Sequence, residues 1–438
     1  MGEQREHWGS RLGFVMAAVG SAVGLGNMWR FSYLAAESGG AAFVVLYIGM
    51  TALVALPIML AEFTLGRGAR QSPVLALAHY GGPAWKPLGW LFVAAGFLIL
   101  AYYSVIAGWT VRYALLGLRD GFTGDAGARF TAISTGLTAI VFHGIFMMVV
   151  VSVVAGGVRS GIERTNLVLM PMLFVILIGL AVYASQLDGA ALGYLYYLQP
   201  RFDELASFSV LSQAAGQAFF SLSLGMGAML TYASYLDRHE HLPNASLQIA
   251  GADFLVAFIA GLAVFPLIFA HGLETAVGES TVGALFITLP TAFEKMGLAG
   301  RFVGVLFFAA LVVGALTSAI ALLEQVVATA MDVFKWPRRL SAIGLGIVIF
   351  LMGVPAALDL NVLGKMDQLA GNVFLVIGSL ALAIFVGWRM HDPIAEAAVG
   401  APGVRWFFLW RSLLRFVAPP VLIVVLYYSF RALVVGDG

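Results

Sequence analysis

No cysteine occurs anywhere in the chain, which excludes disulfides, thiol catalysis and cysteine metal centres. Charge is almost as scarce. Asp, Glu, Lys and Arg make up 11% of the 438 residues, against about 25% in soluble domains. The formal net charge of +1 gives no case for nucleic acid as a partner. The seven histidines are scattered, and only His239 and His241 lie close, so no histidine metal centre is expected. The glycines of Gly24-Leu25-Gly26 lack the Lys-Ser/Thr that a phosphate loop requires, and no acid, base and nucleophile converge in sequence. An enzyme is therefore not expected. The N-terminal MGEQREHWGSR mixes acids and bases without a short apolar core, unlike a cleaved signal peptide.

What the chain has is apolar length. Hydrophobic residues make up 61% and the mean hydropathy is +0.94. A membrane span needs about 20 apolar residues. Eleven such segments centre near residues 23, 53, 102, 142, 174, 221, 257, 314, 349, 377 and 422. They are long runs without alternation, so the expectation is an all-α polytopic membrane protein, not a barrel. Short loops with turn signals separate them, and residues 1–438 read as one transmembrane domain. The stretch from Leu273 to Lys295, with Glu274, Glu279, Glu294 and a Pro290 break, reads as a surface helical hairpin. Most of the 24 Lys and Arg fall on one side if the N-terminus is cytoplasmic. Eleven spans then put the C-terminus outside.

Two segments break the apolar pattern. Residues 20–31, GSAVGLGNMWRF, place Gly20, Gly24, Gly26, Asn27 and Arg30 at membrane depth. Gly20 and Gly24 alone would read as a small-residue packing face. Asn27 and Arg30 favour a broken helix whose freed carbonyls and N–H groups hold an ion and an anionic group. Residues 216–230, GQAFFSLSLGMGAML, repeat the pattern five spans later with Gln217, Ser221, Ser223, Gly225 and Gly227. Breaks at matching positions point to inverted five-helix repeats, residues 11–185 and 208–390, with residues 408–434 as a peripheral eleventh helix. Asp253 lies in IAGADFLVAFIAGLAVF. A carboxylate there costs roughly 2.5–3.5 kcal/mol on insertion scales, so it is expected to face a cavity and a cation.

These motifs resemble the neurotransmitter:sodium symporter family. The resemblance runs nearly the length of the chain, through REHWGSRLGFVMAAVGSAVGLGNMWRF, FFSLSLGMGAMLTYASY and ALTSAIALLEQ. It implies a leucine-transporter-type fold with eleven transmembrane helices, of which helices 1 and 6 are broken, and sodium-coupled uptake of amino acids by alternating access. Two sodium sites follow from the resemblance. The first uses the Ala22 carbonyl, Asn27, Ser221 and Asp253, completed by the substrate carboxylate. The second uses carbonyls of Gly20, Val23 and Gly314 with hydroxyls of Thr317 and Ser318, which without the resemblance would read as hydroxyls bonded back into their own helix. The family carries an asparagine where Asp253 stands. In chloride-dependent members a serine stands at Ala257, so Asp253 is expected to replace chloride as the compensating charge and to make transport chloride-independent.

The resemblance also assigns a substrate site. The α-carboxylate would meet Leu25 and Gly26 N–H groups and the Tyr103 hydroxyl, and the α-amino group would meet carbonyls of Ala22, Phe220 and Ser223. Ser21, Ile99, Phe220, Ser221, Ser223, Met226, Ser318 and Leu322 would surround the rest. No ionisable residue is among them, so a charged side chain would be left unpaired. Methionine at position 226, where a leucine carrier of the family has phenylalanine, suits an adaptable subsite for large apolar or aromatic L-amino acids. For gates, the resemblance pairs Arg30 with Asp367 beside Gln217 and Phe220 outside, and Arg5 with Asp332 beside Trp8 and Tyr235 inside. Glu62 and Glu324 are expected in helix packing or polar networks. Ser21, Ser32 and Gly314 depart from the family pattern without removing a ligand. The expected setting is the cell inner membrane, with the lipid bilayer and a small amino acid as partners and the oligomeric state open. Carriage of a non-proteinogenic or betaine-like solute, and sensing without transport, remain alternatives.

Overall fold

The computed structural model describes residues 6–202, 208–273, 284–401 and 406–435. Among them regular structure is helical, apart from one isolated bridge between Gly40 and Pro200. In hydrocarbon each segment must pair its own backbone groups, and the runs of Leu, Val, Ile and Ala do so as helices.

Among the described residues nine helices are long and apolar enough to cross a membrane. With the two broken segments α1 and α6 added, the elements in chain order are α1 (Arg11–Ala22 and Gly26–Ala35), α2 (Ala41–Ala69), α3 (Pro83–Arg119), α4 (Gly136–Ala155) and α5 (Val158–Ala184). Next come α6 (Phe208–Ser221 and Ala228–Ala233), α7 (Leu242–Ala270), α8 (Gly297–Phe334), α9 (Arg338–Leu358), α10 (Leu360–Arg389) and α11 (Phe407–Arg431). The bent pair of α1 makes a tenth span; the halves of α6 are too short to pass the same test. Of the expected hairpin between Leu273 and Lys295, the structure describes a wide turn, Ala284–Thr288, leading into the helix Leu289–Lys295. Residues 274–283, with Glu274 and Glu279, lie outside the described residues.

The broken helices sit at the centre. The long helices α3 and α8 share the most extensive contact among the described residues, and α1 packs on α8, α5 and α7. α8 spans 38 residues, or about 57 Å at 1.5 Å per residue, nearly twice the hydrocarbon thickness. It carries chemistry at mid-length and still reaches well past the membrane at its ends.

Ends are fixed locally. Ser10 caps α1 by accepting a bond from the Gly13 N–H at 2.9 Å. α2 stops at Arg70 and α8 at Lys335, both in left-handed backbone. Buried Arg67, in the last turn of α2, donates to carbonyls of Glu240 at 2.7 Å and Val399 at 2.8 Å and pairs with Glu396. That side chain ties two separate connections, α6–α7 and α10–α11, to the end of α2.

Candidate functional site

The first break opens because the chain after Ala22 leaves helical geometry: Val23 is extended, and the helix resumes at Gly26 as a wide turn, bent by 63°. The carbonyls this frees are met from α8. Ser318 Oγ donates to Val23 O at 2.9 Å and to Gly20 O at 3.3 Å. The freed Leu25 N–H donates to the Tyr103 hydroxyl of α3 at 3.3 Å, and the Gly24 N–H to Asn27 Oδ1 at 3.0 Å.

The second break is held differently. Ser223, Gly225 and Gly227 adopt left-handed backbone at φ 53°, 76° and 81°. At Gly225 a side chain would also drive into the Leu375 carbonyl of α10. The N–H groups of Gly225 and Leu230 donate to the two oxygens of buried Glu62, at 2.9 and 3.0 Å. A carboxylate at the start of a half-helix also complements the local dipole. Glu62 thus caps the α6 break, a specific form of the helix-packing or polar-network role expected for it. Ser223 Oγ donates to Ser21 O at 2.8 Å and fastens one break to the other.

Between the breaks lies a narrow cavity of about 30 Å³. Its walls are Ser21, Ala22, Leu25 and Gly26 from α1; Ile99 and Tyr103 from α3; Phe220, Ser221, Ser223 and Met226 from α6; and Ser318 and Leu322 from α8. These are the residues the sequence assigns to substrate, and Gly24 and Asn27 join them. Among the described residues no charged side chain lines it.

Below the cavity, Asp253 of α7 is 1% exposed, and its carboxylate gathers three neutral partners. Asn27 Nδ2 donates to Oδ1 at 2.6 Å, and the hydroxyls of Ser221 and Tyr47 donate to Oδ2 at 2.7 and 3.3 Å. Asn27 Nδ2 also reaches Ser221 Oγ at 2.9 Å. Tyr47 escapes sequence reading because it sits in an apolar run of α2 with nothing to distinguish it. Ala257, one turn along α7, is buried and brings no polar atom. On the other side of α1, the Gly20 and Val23 carbonyls and Ser318 come together as described, while Thr317 Oγ1 donates within α8 to the Val313 and Gly314 carbonyls, both at 3.1 Å. Among the described residues no group of His, Cys, Asp and Glu could chelate a metal. Both clusters are carbonyls, hydroxyls, an amide and a single carboxylate, a donor set suited to an alkali cation.

The gates depart from expectation. Arg30 and Asp367 do not pair in this conformation. The Arg30 guanidinium lies over the Phe220 ring, 5.1 Å from its centroid, and Asp367 accepts from the Tyr102 hydroxyl at 2.8 Å. A cation over an aromatic face and a phenol on a carboxylate satisfy both groups separately. Gln217 Nε2 donates to the Gly26 carbonyl at 3.2 Å.

At the opposite end, Arg5 lies outside the described residues, and Asp332 accepts from the Ser72 N–H at 2.6 Å. Trp8 packs edge-on against Tyr232 and donates to its carbonyl at 2.9 Å. The ionic cluster here joins Tyr235 and Glu324, expected in a polar network, to Arg338 and Glu6, which the sequence did not single out. Arg338 pairs with Glu324 at 2.6 Å and with Glu6 at 2.8 Å, and Tyr235 donates to Glu324 at 2.6 Å. Arg338 sits in Pro337-Arg338-Arg339, which reads as a turn, so its burial was hidden. Glu163 of α5 was missed too: it accepts from the Gly9 N–H at 2.6 Å and Ser10 Oγ at 2.8 Å, holding the start of α1.

The chain resembles known proteins along its whole length. It is 35% identical over 446 residues to the sodium-dependent transporter YhdH of Bacillus subtilis, covering 97% of this chain and 98% of that protein. It is 33% identical over 447 residues to the sodium-dependent transporter MJ1319 of Methanocaldococcus jannaschii, covering 97% and 90%. The crystal structure of MhsT in complex with L-phenylalanine superposes with a TM-score of 0.88 at 41% identity, over 97% of this chain and 100% of that one. Residues 5–124 and 134–435 match the sodium:neurotransmitter symporter family, and the chain belongs to that family.

Proposed function

We propose that this protein is a sodium-coupled symporter that imports neutral, mainly large hydrophobic or aromatic L-amino acids by alternating access. The observation that carries this reading is shared membership. Ala22, Asn27 and Ser221 line the cavity, and two of them bond Asp253. A cation at Asp253 and a substrate in the cavity therefore touch the same atoms, and each strengthens the binding of the other by the same factor.

The cavity supports the substrate class. Leu25 and Gly26 offer N–H groups at the start of a half-helix, suited to an α-carboxylate. Ile99, Phe220, Met226 and Leu322 offer apolar surface, and charged side chains find no partner. The related MhsT was crystallised with L-phenylalanine, an amino acid of that apolar class.

Two sodium ions are assigned, one at Asn27, Ser221, Asp253 and the Ala22 carbonyl, the other at Gly20, Val23, Gly314, Thr317 and Ser318. At the first, Asn27 turns its Nδ2 to Asp253 and its Oδ1 to the Gly24 N–H. Oδ1 keeps a second lone pair, which it can offer to the cation while it still accepts from Gly24 at the α1 break. Asp253 supplies a fixed negative charge, so no chloride is needed. The inward arm of the cycle opens the Glu6–Arg338–Glu324–Tyr235 cluster, and the outward arm separates Arg30 from the α3 and α10 wall. The protein sits in the cell inner membrane, N-terminus cytoplasmic and C-terminus outside, with residues 11–185 and 208–390 as its inverted repeats.

The test is uptake of labelled phenylalanine, leucine and tryptophan into proteoliposomes under an inward sodium gradient. Accumulation that disappears without the gradient and persists without chloride is the expected result. Sodium-dependent binding with no accumulation means a sensor, and indifference to all three amino acids removes the substrate class.

A further inference from the structure

Asn166 of α5 is fully buried, and half of its amide has no partner. Nδ2 donates to the Ile162 carbonyl at 2.8 Å. That bond fixes the amide, because flipping it would set oxygen against oxygen. Oδ1 is thereby directed away from its own helix, and no donor among the described residues reaches it. Buried polar atoms are nearly always paired, and an exception calls for a reason.

The oxygen points at the α1 break. A side-chain carbon placed on Gly20 would overlap Asn166 Oδ1 and would lie 2.9 Å from Thr317 Cβ. Three helices therefore meet at Gly20: α1 with its carbonyls, α8 with Thr317 and Ser318, and α5 with Asn166. Oδ1 thus lies close to the Gly20 backbone without a hydrogen bond among the described residues. Thr317 Oγ1 donates within its own helix and keeps lone pairs free, as does Ser318 Oγ. The cluster is thus rich in acceptor capacity with no further proton to share, which is the condition a bare cation satisfies.

We propose that Asn166 is a third wall of the second sodium site and that its Oδ1 coordinates the ion held by Gly20, Val23, Thr317 and Ser318. The inference rests on the sodium-coupled reading above. It assigns α5, and not only α1 and α8, a direct share of the sodium affinity. It also explains why Gly20 has no side chain on that face: any would separate Asn166 from the cage.

The experiment is binding of radiolabelled sodium to detergent-purified protein without substrate, where the first site lacks the substrate carboxylate and the second dominates. Three variants are compared with the parent chain. Asn166→Leu removes the oxygen and raises the half-saturating sodium concentration about tenfold, while Asn166→Ser, with a shorter oxygen, lies between. Asn166→Asp adds charge at the same place and lowers it about fivefold. Opposite signs for Leu and Asp are the signature of a ligand. A packing role gives weaker binding with both, together with a lower unfolding temperature in sodium-free buffer, and overturns the inference. Unchanged midpoints overturn it as well. If the parent chain binds no sodium, the transport reading falls and takes the inference with it. If the parent binds sodium and the variants match it, only the inference falls.

Discussion

The two breaks look alike in sequence and are held by opposite means. At α6, the N–H groups of Gly225 and Leu230 are bound by a buried carboxylate, and the glycine is pressed against α10 so closely that no side chain fits. Charge-assisted bonds and backbone contact leave little freedom there. At α1, the freed groups meet hydroxyls: Ser318 on two carbonyls and Tyr103 on one N–H. A hydroxyl contributes a neutral bond of about 0.5–1.5 kcal/mol, easily exchanged for a ligand. One break is a fixture and the other is a socket. A symmetric pair of interrupted helices thus divides its work, with α6 holding shape and α1 exchanging partners.

The contrast makes graded predictions. The largest effect belongs to Glu62. Glu62→Ala leaves two buried N–H groups without acceptors and should destabilise the protein by about 2–6 kcal/mol, at 1–3 for each. Thermal unfolding of purified protein reads this directly, and a shift no greater than that of a surface substitution would end the distinction between fixture and socket.

Next is Asp253→Asn, which removes the one charge of the first cation cluster. Sodium-dependent substrate binding should weaken about 100-fold, near 2.7 kcal/mol, and added chloride should recover part of it. Binding that is unmoved, or indifferent to chloride, contradicts the role given to that carboxylate.

Ser318→Ala probes the socket itself. The expected cost is about tenfold in half-saturating sodium with a stability change below about 1 kcal/mol. If this variant unfolds as easily as Glu62→Ala, the two breaks are held alike after all.

The smallest effect is in selectivity. Met226→Phe should shift preference away from tryptophan toward leucine by a few-fold, about 1 kcal/mol, because a rigid ring replaces an adaptable chain. Competition against labelled leucine measures it, and an unchanged ranking removes Met226 from the specificity wall.

Much of the site could be read from the chain because its residues are out of place. Glycine, asparagine and arginine inside an apolar run announce a broken span, and Asp253 announces a cation. The same reading failed where a residue suited its surroundings. Tyr47 is an ordinary aromatic in an apolar segment until α7 brings Asp253 to its hydroxyl. Arg338 is an ordinary positive charge after a proline until it is enclosed by Glu6 and Glu324. Glu62 was visible as an intramembrane acid, but its task depends on left-handed backbone 163 residues away. The outer pair, Arg30 with Asp367, was legible as a combination and absent as a contact, since which partner each side chain holds is a property of one conformation. Spacing along the chain reports the break and its chemistry; only packing between helices reports who answers it.

The bond between Leu25 and Tyr103 has a calorimetric consequence. A carboxylate arriving at Leu25 takes an N–H group that already has a hydroxyl partner, so hydrogen bonds are traded and few are gained. The heat of association at that end should accordingly be small. Most of the affinity must then come from the side chain leaving water for Ile99, Phe220 and Met226. Such binding carries a negative heat-capacity change that grows with the apolar area of the amino acid.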